Sequence, residues 1–281
     1  MSCKSLSVFA PAKLNLFLHV TGKRIDGHHT LQSLVVFVDV GDHLTLSQQD
    51  GLEINVNGSF AATLINGEDN LVYKAAMLLA QHYQVLPHAK IILTKNLPVA
   101  SGIGGGSSDA AAALQGLAQL WGFPEEPDIL LALAAKLGAD VPACVYKTPL
   151  WVEGTGDQIT LLPDMPDQHF VLVNPLVPTP TPKVFASFQR RFSDPVPLSG
   201  HITDVATYRN DLTEAAITVT PVIRDVLGAL AATDECLFHR LSGSGATCFG
   251  LYSGAEAASR AVRQLRIDYP DWWIVEAGLL K

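Results

Sequence analysis

The sequence predicts an α+β protein organised as two domains. The chain of 281 residues is long enough to bury more than one core. Its first third is rich in stretches that alternate apolar and polar residues, the period of a half-buried strand. Past Asp140 the texture changes, through "PDMPDQHFVLVNPLVPTPTPK" with its dense prolines, into helices mixed with strands. The seam is placed near residue 155, giving domains 1–155 and 156–281.

"SLSVFAPAKLNLFLHVTGK" reads as strand interrupted at Pro11, followed by a loop or hairpin at "RIDGHHT". "LQSLVVFVDV" and "HLTLSQQ" read as two strands separated by a turn at Gly41-Asp42, and "LEINVNG" as another. "EDNLVYKAAMLLAQHYQV" spaces its apolar residues for a helix from about Asn70 to Tyr83. "AKIILTKNL" is a strand with a glycine loop on its end. "SSDAAAALQGLAQLWG" is then a helix capped by Ser107 or Ser108 and stopped by Gly122, and "EPDILLALAAKLG" a helix ending at Gly138. "ACVYKTPLWVEGTGDQITLL" suggests two strands around glycines. Further on, "TPKVFASFQ", "TEAAITVTPVIRDVLGALAAT" and "AEAASRAVRQLRID" read as helices, and "HFVLVNP", "ATCFGLYS" and "WWIVEAGLL" as strands.

Hydrophobic residues make up 48% and charged ones 16%, a globular composition. No apolar run approaches the roughly 18 residues needed to cross a bilayer, and no signal or transit peptide is evident, so a cytoplasmic protein is expected. A net charge of −8 without a basic tract argues against nucleic acid or an anionic membrane as partner, though a local pocket for a small anion stays open. Cys3, Cys144, Cys236 and Cys248 form no CxxC and are expected to be reduced structural thiols. His28-His29 lacks the spacing of a metal pair, and no protein metal ligand is assigned. Trp272-Trp273 and the aliphatic stripe from Val222 to Leu230 are expected in the core, and Lys183 in solvent.

Chemistry concentrates in three places. "LPVASGIGGGSSDAAAAL" packs Gly102, Gly104, Gly105 and Gly106 into five positions. It matches neither GxxxxGK[ST] nor GxGxxG. Bare amides leading into a helix still make an anion cradle, with the Ser107 and Ser108 hydroxyls available to phosphate or a metal ion. A tight turn that lets strand and helix pack closely is the alternative. Asp109 would repel a phosphate unless a cation intervenes or it points away. A branched Cβ at Gly105 is expected to block the approach of phosphate to backbone. The second place is "RLSGSGATCFG", between a helix and a strand. In the third, "PAKLNLFLHVTGKRIDGHHTLQSL", Lys13 and Asn15 share one face of an extended segment, as functional groups or as solvated edge residues. Asp140 follows a helix end and precedes Val141-Pro142, so its backbone is expected to be extended, with either a fixed carboxylate or an ordinary salt bridge as the result.

Together these motifs resemble the GHMP family of small-molecule kinases, whose members carry an N-terminal lysine motif, a central glycine-serine loop and a C-terminal glycine-rich motif. "PVASGIGGGSSDAA" matches the central loop, with Ile103 where leucine is common, and "LSGSGATCFG" the third motif. Further matches at "LGADVPACVY", "EGTGD", "PTPKVF" and Asn210-Asp211 extend the resemblance over nearly the whole chain. It is closest to family members that phosphorylate a cytidine-diphosphate-linked methylerythritol in the non-mevalonate isoprenoid pathway.

The resemblance implies an N-terminal domain like ribosomal protein S5, a C-terminal ferredoxin-like domain and an active-site cleft between them. It implies transfer of the γ-phosphate of ATP, as Mg-ATP, to the substrate 2-hydroxyl, by a monomer or homodimer. By resemblance Asp140 is the base and Lys13 orients the hydroxyl. Pro98, Gly102, Ile103, Gly104, Gly105, Gly106, Ser107 and Ser108 hold ATP phosphates, with Lys95 and Asn70 where adenine approaches. Asn15, His28, His29, Thr181 and Phe185 line the substrate pocket, and Gly243, Ser244 and Gly245 form the C-terminal motif. The chain departs from the family's Asp-Gly-Tyr-His at Asp26-Gly27-His28-His29, which moves base stacking toward Phe185 or weakens it. Two other readings fit the same scaffold: a family kinase acting on mevalonate, homoserine or galactose, and a non-catalytic ligand-binding protein.

Overall fold

The structure, a computed structural model, describes residues 5–64, 67–124 and 126–281; Cys3 lies outside them. In chain order the strands and helices are β1 (Ser5–Asn15), β2 (His19–Lys23), β3 (His29–Ser47), β4 (Leu52–Asn57), α1 (Leu71–His82), β5 (Ala89–Thr94), α2 (Gly105–Trp121), α3 (Pro127–Leu137), α4 (Val141–Tyr146), β6 (Leu150–Gly154), β7 (Gln158–Leu161) and β8 (His169–Asn174). There follow α5 (Thr181–Ala186), α6 (Ile202–Ala206), α7 (Thr213–Val219), α8 (Ile223–Ala231), β9 (Cys236–Leu241), β10 (Cys248–Tyr252), α9 (Ala255–Asp268) and β11 (Trp273–Gly278). They form two compact units that interleave in sequence. The first takes residues through 12, 40–99 and 104–147; the second takes 13–39, 100–103 and 148–281.

In the first unit the end of β3 pairs antiparallel with β5, from His43 opposite Thr94 to Ser47 opposite Lys90. β4 runs parallel to β5, and α1 supplies the crossover that a parallel pair requires. Helix α2 is buried from Ser108 to Leu114 and packs against α1, α3 and α4. Alanine suits both demands, since it has the best helix propensity and lets neighbours approach. At Gly116 even one carbon is too much: a Cβ there would lie 2.4 Å from Leu46 Cδ1 and 2.7 Å from Val8 Cγ2.

In the second unit the start of β3 pairs with β2 and with β6, and β6 turns back into β7. A four-stranded antiparallel sheet has the order β11-β8-β10-β9. Its core joins Val171 and Val173 of β8 to Ile223, Val226 and Leu230 of α8 and to Val262 and Leu265 of α9. Each such side chain stabilises by about 1.5–3 kcal/mol when fully buried. The stripe from Val222 to Leu230 therefore faces the core as expected. Trp272 packs against it while stacking on Tyr269 at 4.0 Å.

Several elements differ from the sequence reading for physical reasons. β1 runs through Pro11, because among the described residues it pairs with β3 on one side, and a strand bonded on one side tolerates a residue without an N–H. β3 continues for 19 residues through Gly41-Asp42 rather than turning there. Gly41 is demanded by close approach instead, since a Cβ would lie 2.3 Å from the Ala10 carbonyl. "ACVY" belongs to helix α4. The helix expected across Pro221 is two, α7 and α8, because proline cannot donate to a continuing helix. The second glycine cluster joins β9 to β10, so it is the turn of a hairpin rather than a helix-to-strand connection. Cys144, Cys236 and Cys248 are free thiols. Among the described residues, no helix is long and apolar enough to cross a membrane.

Candidate active site

In the first unit, α2 starts one turn earlier than the serine caps suggested. Its N-cap is Gly104, at φ 65° and ψ 18°, a left-handed conformation that favours glycine. No side chain caps this end. The first-turn amides of any helix lack intrahelical acceptors, and the helix dipole makes that end positive. Gly106 is exposed, Ser107 half-buried and Ser108 buried, with no hydrogen-bond partner for Ser108 Oγ among the described residues. Pro98 is buried ahead of the loop.

Lys95, expected where adenine approaches, is buried beneath the loop. Its ammonium is 2% exposed and donates to Asp42 Oδ2 at 2.5 Å and Asp109 Oδ2 at 2.7 Å. The other oxygen of Asp42 accepts the amides of Asn96 at 2.6 Å and Leu97 at 2.9 Å, which ties the strand end to the same cluster. A Cβ on Gly105 would lie 3.1 Å from Lys95 Nζ, so this ion cluster is the floor beneath the loop. The question raised by Asp109 is thereby answered: it points inward, onto Lys95. Burial pushes the Asp109 carboxyl up, the Lys95 ammonium pulls it back and Asp42 adds a like charge, leaving it at about 7. For Lys95, burial opposes the charge and the two carboxylates outweigh it, so its pKa rises. The missing Cβ of Gly105 faces this floor. Asn70 is the N-cap of α1, accepting from the Val72 amide at 2.9 Å.

Asp140 is exposed at the N-cap of α4, with φ −84° and ψ −14°, so its backbone is helical and not extended. Pro142 falls in the first turn of α4, where the N–H it lacks would have no acceptor anyway.

In the second unit, Lys13 is 5% exposed, and its amide donates to the Ile103 carbonyl at 2.9 Å. Asn15 donates Nδ2 to Ser33 Oγ at 2.8 Å, and its amide donates to Ser242 Oγ at 3.2 Å. Ser242 Oγ in turn donates to the Gly102 carbonyl at 3.0 Å, and the Thr247 amide donates to Ser101 at 2.9 Å. The segment 101–103 therefore lies directly on the 242–247 turn. Gly102, at φ 76°, has no space for a side chain: a Cβ would lie 2.4 Å from the Ser242 carbonyl. Gly243 and Gly245 also have positive φ, at 54° and 89°. Asn210 clamps the turn from behind, donating to the carbonyls of Leu241 at 2.9 Å and Gly243 at 2.7 Å.

Thr181 and Ser244 share a hydrogen bond at 2.7 Å. Phe185 stacks on His29 with ring centroids 5.2 Å apart and planes 24° from parallel, and Phe188 and Phe192 meet the same imidazole edge-on. His28 stays out of this cluster. Its amide and ring nitrogen turn to Asp26 at 3.1 and 3.2 Å, with its side chain 74% exposed. The two catalytic expectations fall in different units, Asp140 in the first and Lys13 in the second.

Three supporting residues escaped the sequence reading: Asp42, Ser242 and Arg240. Asp42 was hidden in a supposed turn. Ser242 sits among glycines that drew attention away from it. Arg240 is 7% exposed and donates to the carbonyls of Leu16, Val205, Ala206 and Tyr208, a use that leaves no sequence pattern.

Residues 70–148 match the model of the GHMP kinases N terminal domain, and residues 195–271 that of the GHMP kinases C terminal domain. The chain belongs to the GHMP kinase family. Among its relatives, the 4-diphosphocytidyl-2-C-methyl-D-erythritol kinase of Paramagnetospirillum magneticum is 50% identical over 98% of this chain and 99% of that protein. The enzyme of the same name from Roseobacter denitrificans is 46% identical over 96% of this chain and 92% of its own. A crystal structure of 4-(cytidine 5'-diphospho)-2C-methyl-D-erythritol kinase superposes with a TM-score of 0.84 at 31% identity, covering 97% of this chain and 99% of that one. Homoserine kinase from Cytophaga hutchinsonii shares the fold, with a TM-score of 0.75 at 20% identity over 98% and 94% of the two chains.

Proposed function

We propose that this protein transfers the γ-phosphate of ATP to the 2-hydroxyl of 4-diphosphocytidyl-2-C-methyl-D-erythritol, as a step of non-mevalonate isoprenoid synthesis. The observation that carries this reading is the 50% identity, end to end, with a relative named for that substrate. The geometry of the loop supports it: an uncapped 17-residue helix behind left-handed Gly104 offers amides and a positive dipole end to phosphate.

In this reading the amides of Gly102 to Ser108 hold the ATP phosphates, with Pro98 shaping the loop. Phosphoryl transfer depends mainly on position and charge neutralisation. Asp140 takes the proton of the acceptor hydroxyl, and Lys13 orients that hydroxyl and offsets the developing charge. Mg²⁺ accompanying ATP would supply charge neutralisation at the phosphate oxygens; the hard oxygen of Ser107, half-buried in the first turn of α2, would suit that ion, as would the buried Oγ of Ser108, which lacks a partner among the described residues. Asn70 lies near the adenine, and Lys95 serves from below the loop.

On the substrate side, His29 reads the cytosine edge and Phe185 stacks on its ring, while Asn15, Thr181 and the turn of Gly243, Ser244 and Gly245 line the rest. His28 contributes at the rim. The functional division stays near residue 155, and the enzyme works in the cytoplasm as a monomer or homodimer. The test is a panel of alcohols, namely the cytidine diphosphate substrate, mevalonate, homoserine and galactose, assayed for ADP release. The first is expected to be turned over at least about a hundredfold more efficiently than the others, because a site built for base edges leaves buried polar groups unpaired with any other alcohol. Faster turnover of one of the other three overturns the assignment.

A further inference from the structure

The second unit holds a cavity of about 640 Å³, lined by His19, Arg190, Arg191, Asp194, Tyr208 and Arg209 among others, and by none of the residues given a role above. It borders the aromatic cluster through Phe192, which lines the cavity and meets His29 edge-on, but its His19 lies on the opposite face of the β2–β3 ribbon from His29. His19 pairs with Gln32, whereas His29 pairs with Lys23. Residues 29 and 32 of one strand project to opposite faces, so His19 and His29 do too.

His19 is the unexplained group. It is 5% exposed, set edge-on between Phe17 at 4.9 Å and Tyr208 at 5.5 Å, and neither ring nitrogen has a hydrogen-bond partner among the described residues. Burial lowers its pKa; Asp211 opposes this, and Arg209 and Arg240 add to it. The ring is therefore neutral at physiological pH, with one donor and one acceptor both unused. Buried polar groups are ordinarily satisfied, and this one lines an open cavity.

The charge around it is positive on an acidic chain. Arg209 is held by Asp211 at 2.7 Å and Ser193 at 2.8 Å. Arg190 and Arg191 are exposed and make no ion pair among the described residues, with Asp194 the opposing charge on the wall. A guanidinium fork matches phosphate oxygens two at a time. We propose that this cavity is a second ligand site, which takes a small phosphate-bearing anion gripped by Arg190 and Arg191, with His19 hydrogen-bonded to one of its oxygens. The volume suits a ligand up to the size of a nucleotide.

The test is calorimetric titration of inorganic pyrophosphate into the full-length protein at about 0.15 M salt, with the ATP site saturated by a non-hydrolysable ATP analogue. One saturable site is expected to remain. It is expected to weaken about tenfold or more in Arg190→Ala/Arg191→Ala and in His19→Phe, with the KM for ATP unchanged in the double variant. The arginines are exposed, so that variant stays folded even if His19→Phe does not. Loss of all binding once the analogue is present, or wild-type affinity in the double arginine variant, overturns the proposal.

Discussion

At the scale of single residues, two carboxylates of the candidate site have opposite surroundings, Asp140 exposed and Asp109 buried. Asp140 is exposed at the start of a short helix, the position from which the proposed mechanism has it meet the acceptor hydroxyl. Asp140→Asn keeps the shape and removes the proposed base. The variant is expected to lose about 10²–10⁴ in kcat while calorimetry finds ATP binding intact. Asp109 is buried on Lys95 and titrates at about 7, above its ordinary 3.8. A carboxyl that holds its proton more tightly when folded adds stability that is complete below about pH 4 and lost as the pH rises through 7. The melting temperature of the wild type is thus expected to fall between pH 5 and 8 more steeply than that of Asp109→Asn. Equal slopes would mean that Asp109 is ionised throughout. From sequence, Asp109 was legible as a problem, a negative charge near a phosphate loop. Its solution was not, because Asp42 and Lys95 reach it from 67 and 14 positions away. His28 shows the same limit: the chain advertises a ring at the stacking position, and the local Asp26 draws it aside.

At the scale of elements, the loop and α2 divide their glycines between two duties. Gly105 faces the floor, 3.1 Å from Lys95 Nζ, whereas a Cβ on Gly106 meets only Leu71 Cδ1 at 3.7 Å and sits at an exposed position. Gly105→Val is therefore expected to lower the urea midpoint by crowding the ion cluster. Gly106→Val is expected to keep near-native stability and weaken ATP binding, since its branched side chain stands among the first-turn amides. The reverse pattern would mean that the loop presents its other side to the nucleotide. Helices α1 and α3 were legible almost to the residue because Asn70 and Gly138 are ordinary end signals. β3 and α4 were not. Gly41-Asp42 mimics a turn while serving close approach and an inward ion pair, and Pro142 mimics a breaker while occupying the first turn of a helix.

For the whole molecule, fold and substrate are separate questions. Solved kinases named for homoserine and mevalonate share this fold at 20% and 13% identity, so the scaffold alone does not choose the alcohol. The family was legible from three motifs in order, and the proposed mechanism rests on the glycine loop and the carboxylate of Asp140. A chain with net charge −8 binds polyanionic substrates only through such local devices. The most direct measurement is phosphorus NMR of the purified protein with Mg-ATP and 4-diphosphocytidyl-2-C-methyl-D-erythritol. A new phosphomonoester resonance growing in step with ADP, and absent with Asp140→Asn, is the expected result. Unconsumed ATP and no new monoester from folded wild-type protein would contradict it.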